Sequence, residues 1–524
     1  MRFSILLFLL LGSVATAASP SIEGNRFIFT GLDGGACLEF TSSVSFRLVR
    51  WWGPAQPLIG EPVYKDRVWT KSDDRLTFLA IDTKFLRIEI SKDDYRLAVK
   101  MPSGRSLWSE RRGASRNTAT NVIEFDSNLI ADEKLYGFGV PVRPGSLDQH
   151  GQKFKAKRPL FFSSLGYGRF IARAGEYDID AGAADRLRMR ISTSQATVAE
   201  QYFYYGPSPK EIFEQHALAT QSQVNHPDSV LDLSSEKDLP ADAVRIPVTE
   251  ANYCDLSLLV NQLSLSGATY ETVDLSKVGK YLDEFRFYPL VFRSDAANPG
   301  AEFDLRRRLW IPYHRTYLRE AYDRGLPFLR PLVMQYPKDS GMEKRSDVFM
   351  IGDELLVAPG CDVKSVELPR GRWTDLRTNK VYPGRTTATN EAKGLPVFVK
   401  MGSILPLVSQ RKDVGLELHY YPNIGAEFFL IEPEVGEYSQ FHAAPVGDIM
   451  RVESESKIER TLEWVVHHLD KPLTVGESTG AFREAGSRGE LTPGTWFHDA
   501  SQRSLHIMLH TQAGEDHIVN MTFQ

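Results

Sequence analysis

The sequence predicts a multidomain, mostly β chain of the α+β type, interrupted by one α/β segment. Three observations carry that reading. Short runs of alternating apolar and polar residues fill residues 19–201, helical spacing is confined to a middle stretch, and after about residue 345 short apolar strands return, punctuated by Gly and Pro. With 524 residues, 42% of them hydrophobic and 25% charged, the chain is long enough for several cores.

The N-terminus reads as a secretory signal over residues 1–17. Arg2 supplies the positive charge, Phe3 to Leu11 the apolar run, and Ala15-Thr16-Ala17 the small residues of a cleavage site. That run is short of the roughly 20 residues needed to cross a bilayer, so no membrane span is expected. Secretion is the expected localisation.

Residues 18–207 are expected to form an antiparallel β-sandwich. In Leu86-Arg87-Ile88-Glu89-Ile90 the apolar residues share one face and the charged ones the other, as a half-buried strand requires. Residues 208–340 carry the helical patterns. Ser208, Pro209 and Glu211 form the capping-box signature of a helix running to about Thr220. Leu256, Leu259, Val260 and Leu263 define a second helix over 255–264. A third is expected over 303–323, kinked at Pro312 and stopped at Gly325-Leu326-Pro327. Residues 341–408 and 409–524 read as two further β-domains.

The formal net charge of −5 falls in no block, which argues against nucleic acid as a partner and favours a neutral one. Cys37, Cys254 and Cys361 lack the close spacing of a zinc site or redox motif, so buried free thiols are expected, with at most one bridge possible. Among other motifs, Trp51, Trp310, Tyr313 and Tyr317 are expected to pack, Arg306–Arg308 to be surface charge, and Arg330 to be a buried ion-pair partner. No metal site, phosphate-binding loop or nucleophile elbow is found, and no cofactor is implied.

Four stretches carry a resemblance. They are Glu133 to Gly139 (EKLYGFG) with Leu165 to Gly168; Phe203 to Glu211; Phe287 to Ser294, Leu309 to Tyr313 and Gly325 to Leu332; and Phe349 to Pro359 with Leu368 to Trp373 and Pro396 to Pro406. In order and spacing they resemble glycoside hydrolase family 31, the retaining α-glucosidases and their relatives. The resemblance implies an N-terminal galactose-mutarotase-like β-sandwich, a (β/α)8 barrel and two C-terminal β-sandwich domains. It also implies an α-glucoside-like carbohydrate ligand.

The same resemblance exposes what is missing. Retaining glycosidases need two carboxylates about 5–5.5 Å apart. The family's Trp-x-Asp-Met-Asn/Glu nucleophile stretch has no counterpart here, and residues 221–331 offer fewer than half of the roughly 250 residues of a complete barrel. The barrel is therefore expected to be a shortened remnant. The segment Thr249 to Leu256 resembles the one bearing the family's acid/base Asp and places Ala251 there. Glu250, Asp255 and Asp274 are the weak catalytic candidates. Ligand-binding candidates are Asp274, Arg293, Asp295 (in place of a sugar-binding His) and Asp148 in a loop of the N-terminal sandwich.

The expected function is that of a catalytically impaired, pseudoenzyme-like protein acting in carbohydrate binding or protein interaction. Two alternatives stand beside it: an active α-glycosidase on relocated carboxylates, and an incomplete gene model of an ordinary α-glucosidase. Ala251 and Asp295 oppose the latter, because a deletion alone would leave retained positions intact. A half-barrel leaves strand edges to cover, so a homodimer is expected.

Overall fold

A computed structural model describes residues 19–57, 59–60, 66–157, 159–173, 175–192, 197–220, 244–249, 253–265, 271–277, 291–292, 306–392 and 394–524. The chain divides into two compact units, one comprising residues up to Lys134 with His150–Pro207, the other Leu135–Gln149 with Ser208–Gln524.

The first unit is built from two antiparallel sheets. One orders its strands Ser21–Glu23, Arg26–Gly31, Gly34–Phe40, Ser45–Trp52, Val198–Tyr205, Tyr167–Ile171, Leu160–Ser163; the other is nine-stranded and runs from Lys153–Ala156 to Lys71–Asp74. Alternation decides which residues face inward. Leu86, Ile88 and Ile90 are buried, while Arg87 and Glu89 lie outside and pair at 3.3 Å. The sheets meet through Trp108 and Phe203, whose rings lie 5.8 Å apart, and through Arg169, fully buried with its guanidinium 4.1 Å from the Trp108 ring. Trp51 packs in this unit, as expected.

In the second unit the capping box forms as read. The Ser208 N–H and hydroxyl both donate to Glu211 Oε2, at 2.9 and 2.7 Å, and helix α1 spans Pro209–Thr220. Helix α2 spans Leu256–Leu265 and follows the 3-10 turn Tyr253–Asp255. The third helix differs from its expectation. Residues 306–308 are helical, 309–310 turn, and helix α3 restarts at Ile311–Arg324 with Pro312 in its first turn. Pro312 therefore sits where its missing N–H costs nothing, which explains a restart rather than a kink. Of the arginine run, Arg306 and Arg308 are exposed but Arg307 is buried, a correction to the surface reading.

Helix α3 ends at Gly325, φ 67°, where an added Cβ would lie 2.3 Å from the Ala217 Cβ of α1. Helix α4, Leu332–Gln335, follows. A six-stranded sheet containing Phe349–Ile351, Leu355–Val357 and Val397–Lys400 comes next. Two six-stranded sheets close the unit, one from Ser403–Leu407 through Ser504–Thr511, the other including Asp516–Thr522. Trp310, Tyr313 and Tyr317 join a continuous core with Phe349, Leu418 and Trp464.

Gly352 turns the chain between the strands Phe349–Ile351 and Leu355–Val357 at φ 61°, and a Cβ there would meet Tyr313 Oη at 2.4 Å and Tyr317 Cε2 at 2.5 Å. Gly352→Ala is expected to destabilise this unit by about 2–4 kcal/mol, through left-handed strain and overpacking together. Urea titration followed by tryptophan fluorescence measures it; a cost below about 0.5 kcal/mol would refute the assignment.

Candidate functional site

The middle segment contains, among the described residues, three parallel strands in the order Val244–Thr249, Glu271–Lys277, Val291–Phe292. Register aligns Pro247 with Asp274 and Asp274 with Phe292, and α2 connects the first strand to the second. This is a βαβ unit. Sites in such sheets gather at the carboxyl ends of the strands, on the loops that follow them.

The candidates read from sequence fall around these strands. Asp274 lies within the middle strand, three residues before its end at Lys277. Glu250 and Ala251 follow Thr249, and Arg293 and Asp295 follow Phe292; these four lie outside the described residues. Asp255 is exposed, in the turn leading from the first strand into α2, where its charge complements the helix N-terminus. Asp148 is elsewhere. Its Oδ1 accepts the Leu135 N–H at 2.9 Å, and its carbonyl accepts from the Arg143 guanidinium at 3.1 Å, so the residue fastens its own loop.

A disulfide, Cys254–Cys361, holds the turn before α2 to the segment after strand Leu355–Val357. This corrects the expectation of free thiols; Cys37 alone stays a buried thiol. Burial pushes the Cys37 thiol up to about 12, so it is unreactive at neutral pH. From the other side, α2 is pinned by Asn261, whose Nδ2 donates to the carbonyls of Ser346 and Val348, both at 3.2 Å. Disulfide and amide together fix the loop that carries Asp255.

Beside α3 lies a buried charge cluster that sequence reading reached only through Arg330. The fully buried Arg330 guanidinium pairs with Glu320 and Asp353, and its Nε donates to the Pro327 carbonyl at 2.8 Å. Lys210 Nζ donates to Asp353 Oδ1 at 2.7 Å. Burial disfavours the charge on Asp353, yet Arg330 and Lys210 hold its carboxyl well below the usual range. Glu354 goes the other way. Burial, and then the Asp353 charge, push it from 4.5 up to about 7, while the Tyr313 and Tyr317 hydroxyls donate to its Oε2 at 2.8 and 2.6 Å. Asp353 and Glu354 were quoted in sequence only as part of a strand motif. Nothing there signalled that they would face Lys210, Glu320 and the two tyrosines, brought from α1 and α3. Each carboxylate is already spoken for by the protein, which makes this a structural latch.

The latch has a pH signature. The unfolded chain loses the Glu354 proton through about 4.5, while the folded chain keeps it to about 7. Stability from this group therefore falls as pH rises between those values. In Glu354→Gln that part of the pH dependence should vanish; an unchanged slope of unfolding free energy against pH across 4.5–7 would contradict the assignment.

Residues 325–405 match the family model described as the glycosyl hydrolase family 31 C-terminal domain. An isomaltosyltransferase of Sporosarcina globispora is 26% identical over 240 residues, 42% of this chain and 22% of that protein. Together these matches support a glycoside hydrolase family 31 protein. The family 31 dextranase of Flavobacterium johnsoniae, solved as a mutant complexed with isomaltotriose, superposes with a TM-score of 0.78 at 16% identity, covering 97% of this chain and 99% of that one. The cycloalternan-forming enzyme from Listeria monocytogenes, in complex with pentasaccharide substrate, gives 0.77 at 14% identity, covering 97% and 77%. These superpositions establish the shared fold, mostly β and built of several sheets as expected. The aligned stretch spans about a fifth of the isomaltosyltransferase.

Proposed function

We propose that this protein is a secreted, sugar-binding family 31 member that has lost hydrolysis, its barrel reduced to a remnant. One observation carries the reading: the sequence contains no Trp-x-Asp-Met-Asn/Glu stretch, and the resemblance places at the acid/base position Ala251, which has no proton to give. The isomaltotriose and pentasaccharide held by the two structural relatives support an α-glucan oligosaccharide as ligand. Asp274 and the Arg293–Asp295 segment are its proposed contacts. The Cys254–Cys361 bridge supports an oxidising compartment. No helix among the described residues is long and apolar enough to cross a membrane. A second copy of the chain is the proposed cover for the outer strands of the parallel sheet.

The competing reading is a glycosidase on relocated carboxylates. It is favoured by the exposed Asp255 on the loop leaving a parallel strand, next to the strand that carries Asp274. Reducing-end release from isomaltotriose and from an α-xyloside separates the two. The expected result is release at the buffer rate; turnover lost in both Asp255→Asn and Asp274→Asn would establish the glycosidase instead.

A further inference from the structure

The last β-sandwich contains a cleft of about 870 Å³, within the range of small-molecule sites. It is remote in sequence from the parallel strands, and no sequence motif announced it. Its lining divides into an apolar part and a polar part. Met450, Trp496 and Phe523 supply buried or half-buried apolar surface, and Leu473, 57% exposed, extends it outward. Asp448, Lys471 and Glu484 supply exposed polar groups.

The polar groups are arranged in a particular way. Lys471 Nζ lies 2.7 Å from Glu484 Oε1 and 5.9 Å from the Trp496 ring centroid, so an ammonium and a carboxylate stand together beside an indole. Asp448 occupies the Gly447-Asp448 turn between the strands Glu437–Val446 and Ile449–Glu455, and it has no hydrogen-bond or ion-pair partner among the described residues. Asp470 on the rim is engaged by Arg503 at 3.0 Å. His468 is held by Thr374 at 3.0 Å, and burial, with Arg503 and Arg372, lowers its pKa, keeping the ring neutral.

A lining of this kind selects its ligand. A strongly anionic ligand would face Asp448 and Glu484, and a cation would meet Lys471. A wholly apolar ligand would strip water from three charged groups without replacing their hydrogen bonds. A neutral polyhydroxyl ligand satisfies all of them. Its hydroxyls donate to the two carboxylates and accept from the ammonium, and its C–H faces cover the apolar floor.

The geometry points to this cleft as a second binding site for a neutral oligosaccharide, independent of the parallel strands. It goes beyond the proposed function, and holds or fails separately from it.

Methyl NMR of the full secreted protein, labelled at methionine, tests the inference, because Met450 lines the cleft. Its signal is assigned by loss in Met450→Leu, and isomaltotriose is the probe. The Met450 methyl should shift with saturation. Asp448→Ala and Lys471→Ala, both at exposed positions, should each weaken that titration about tenfold or more, while leaving the other methionine signals in place. Asp274→Ala should leave it unchanged, which separates this site from the proposed function. A Met450 signal that does not move up to about 10 mM sugar would overturn the proposal. So would movement indifferent to both cleft variants, abolished by Asp274→Ala, or produced as strongly by an anionic uronic acid.

Discussion

Arg330→Met is expected to lower the stability of the C-terminal unit by about 3 kcal/mol. The figure sits at the low end of the range for breaking one side of a buried ion pair, because the partners Glu320 and Asp353 keep 20% and 41% of their side-chain surface. Methionine preserves packing beside Tyr317, over which the guanidinium sits at 5.1 Å. The loss therefore comes from two carboxylates that each lose one of two cationic partners, Asp353 keeping only Lys210 and Glu320 only Arg324, and from the lost bond to Pro327. Adding Glu320→Gln to Arg330→Met should recover part of it, since one of the two under-compensated charges is gone. Urea unfolding of the two variants measures both quantities. A loss under about 1 kcal/mol, or no recovery in the double variant, would show that Arg330 does not organise this cluster.

Removing the bridge, by Cys254→Ser with Cys361→Ser, should cost about 2–5 kcal/mol. The two cysteines are 107 residues apart in sequence, so the bridge closes a long loop and constrains the unfolded chain strongly. Its local consequence is as informative. The bridge ends one residue before Asp255, and Ala251 lies three residues before Cys254 in sequence. Reductant should lower the urea midpoint of the native protein and leave that of the double variant unmoved. Equal midpoints with and without reductant would mean that the bridge contributes nothing to stability.

How much of this was legible in sequence depends on the range of the interactions. Leu86 to Ile90 and the capping box at Ser208–Glu211 were readable because alternation and capping act over a few residues, and both form as expected. The break in the third helix was half-readable: Pro312 marked the place, but a proline in a first turn restarts a helix where the same residue further in would kink it. The bridge was not legible, since three widely spaced cysteines allow several pairings and only the fold brings Cys254 to Cys361. The charge cluster was missed for the same reason. Lys210, Glu320, Arg330 and Glu354 come from four elements spread over 145 residues of sequence, and no periodicity links them. Of the candidate ligand residues, Asp148 carried a readable loop context, but the bond that fastens it to Leu135 appears only in three dimensions. The family resemblance reached furthest, because motif order survives where single residues do not.

Saturation-transfer NMR on the purified protein, with α-linked gluco- and xylo-oligosaccharides, tests the central claim most directly, since one sample reports binding and hydrolysis together. Saturation transfer to a sugar, with no new reducing-end anomeric signals over a day, is the predicted result. New anomeric signals that disappear in Asp274→Ala would contradict it and make this family 31 protein a working glycosidase.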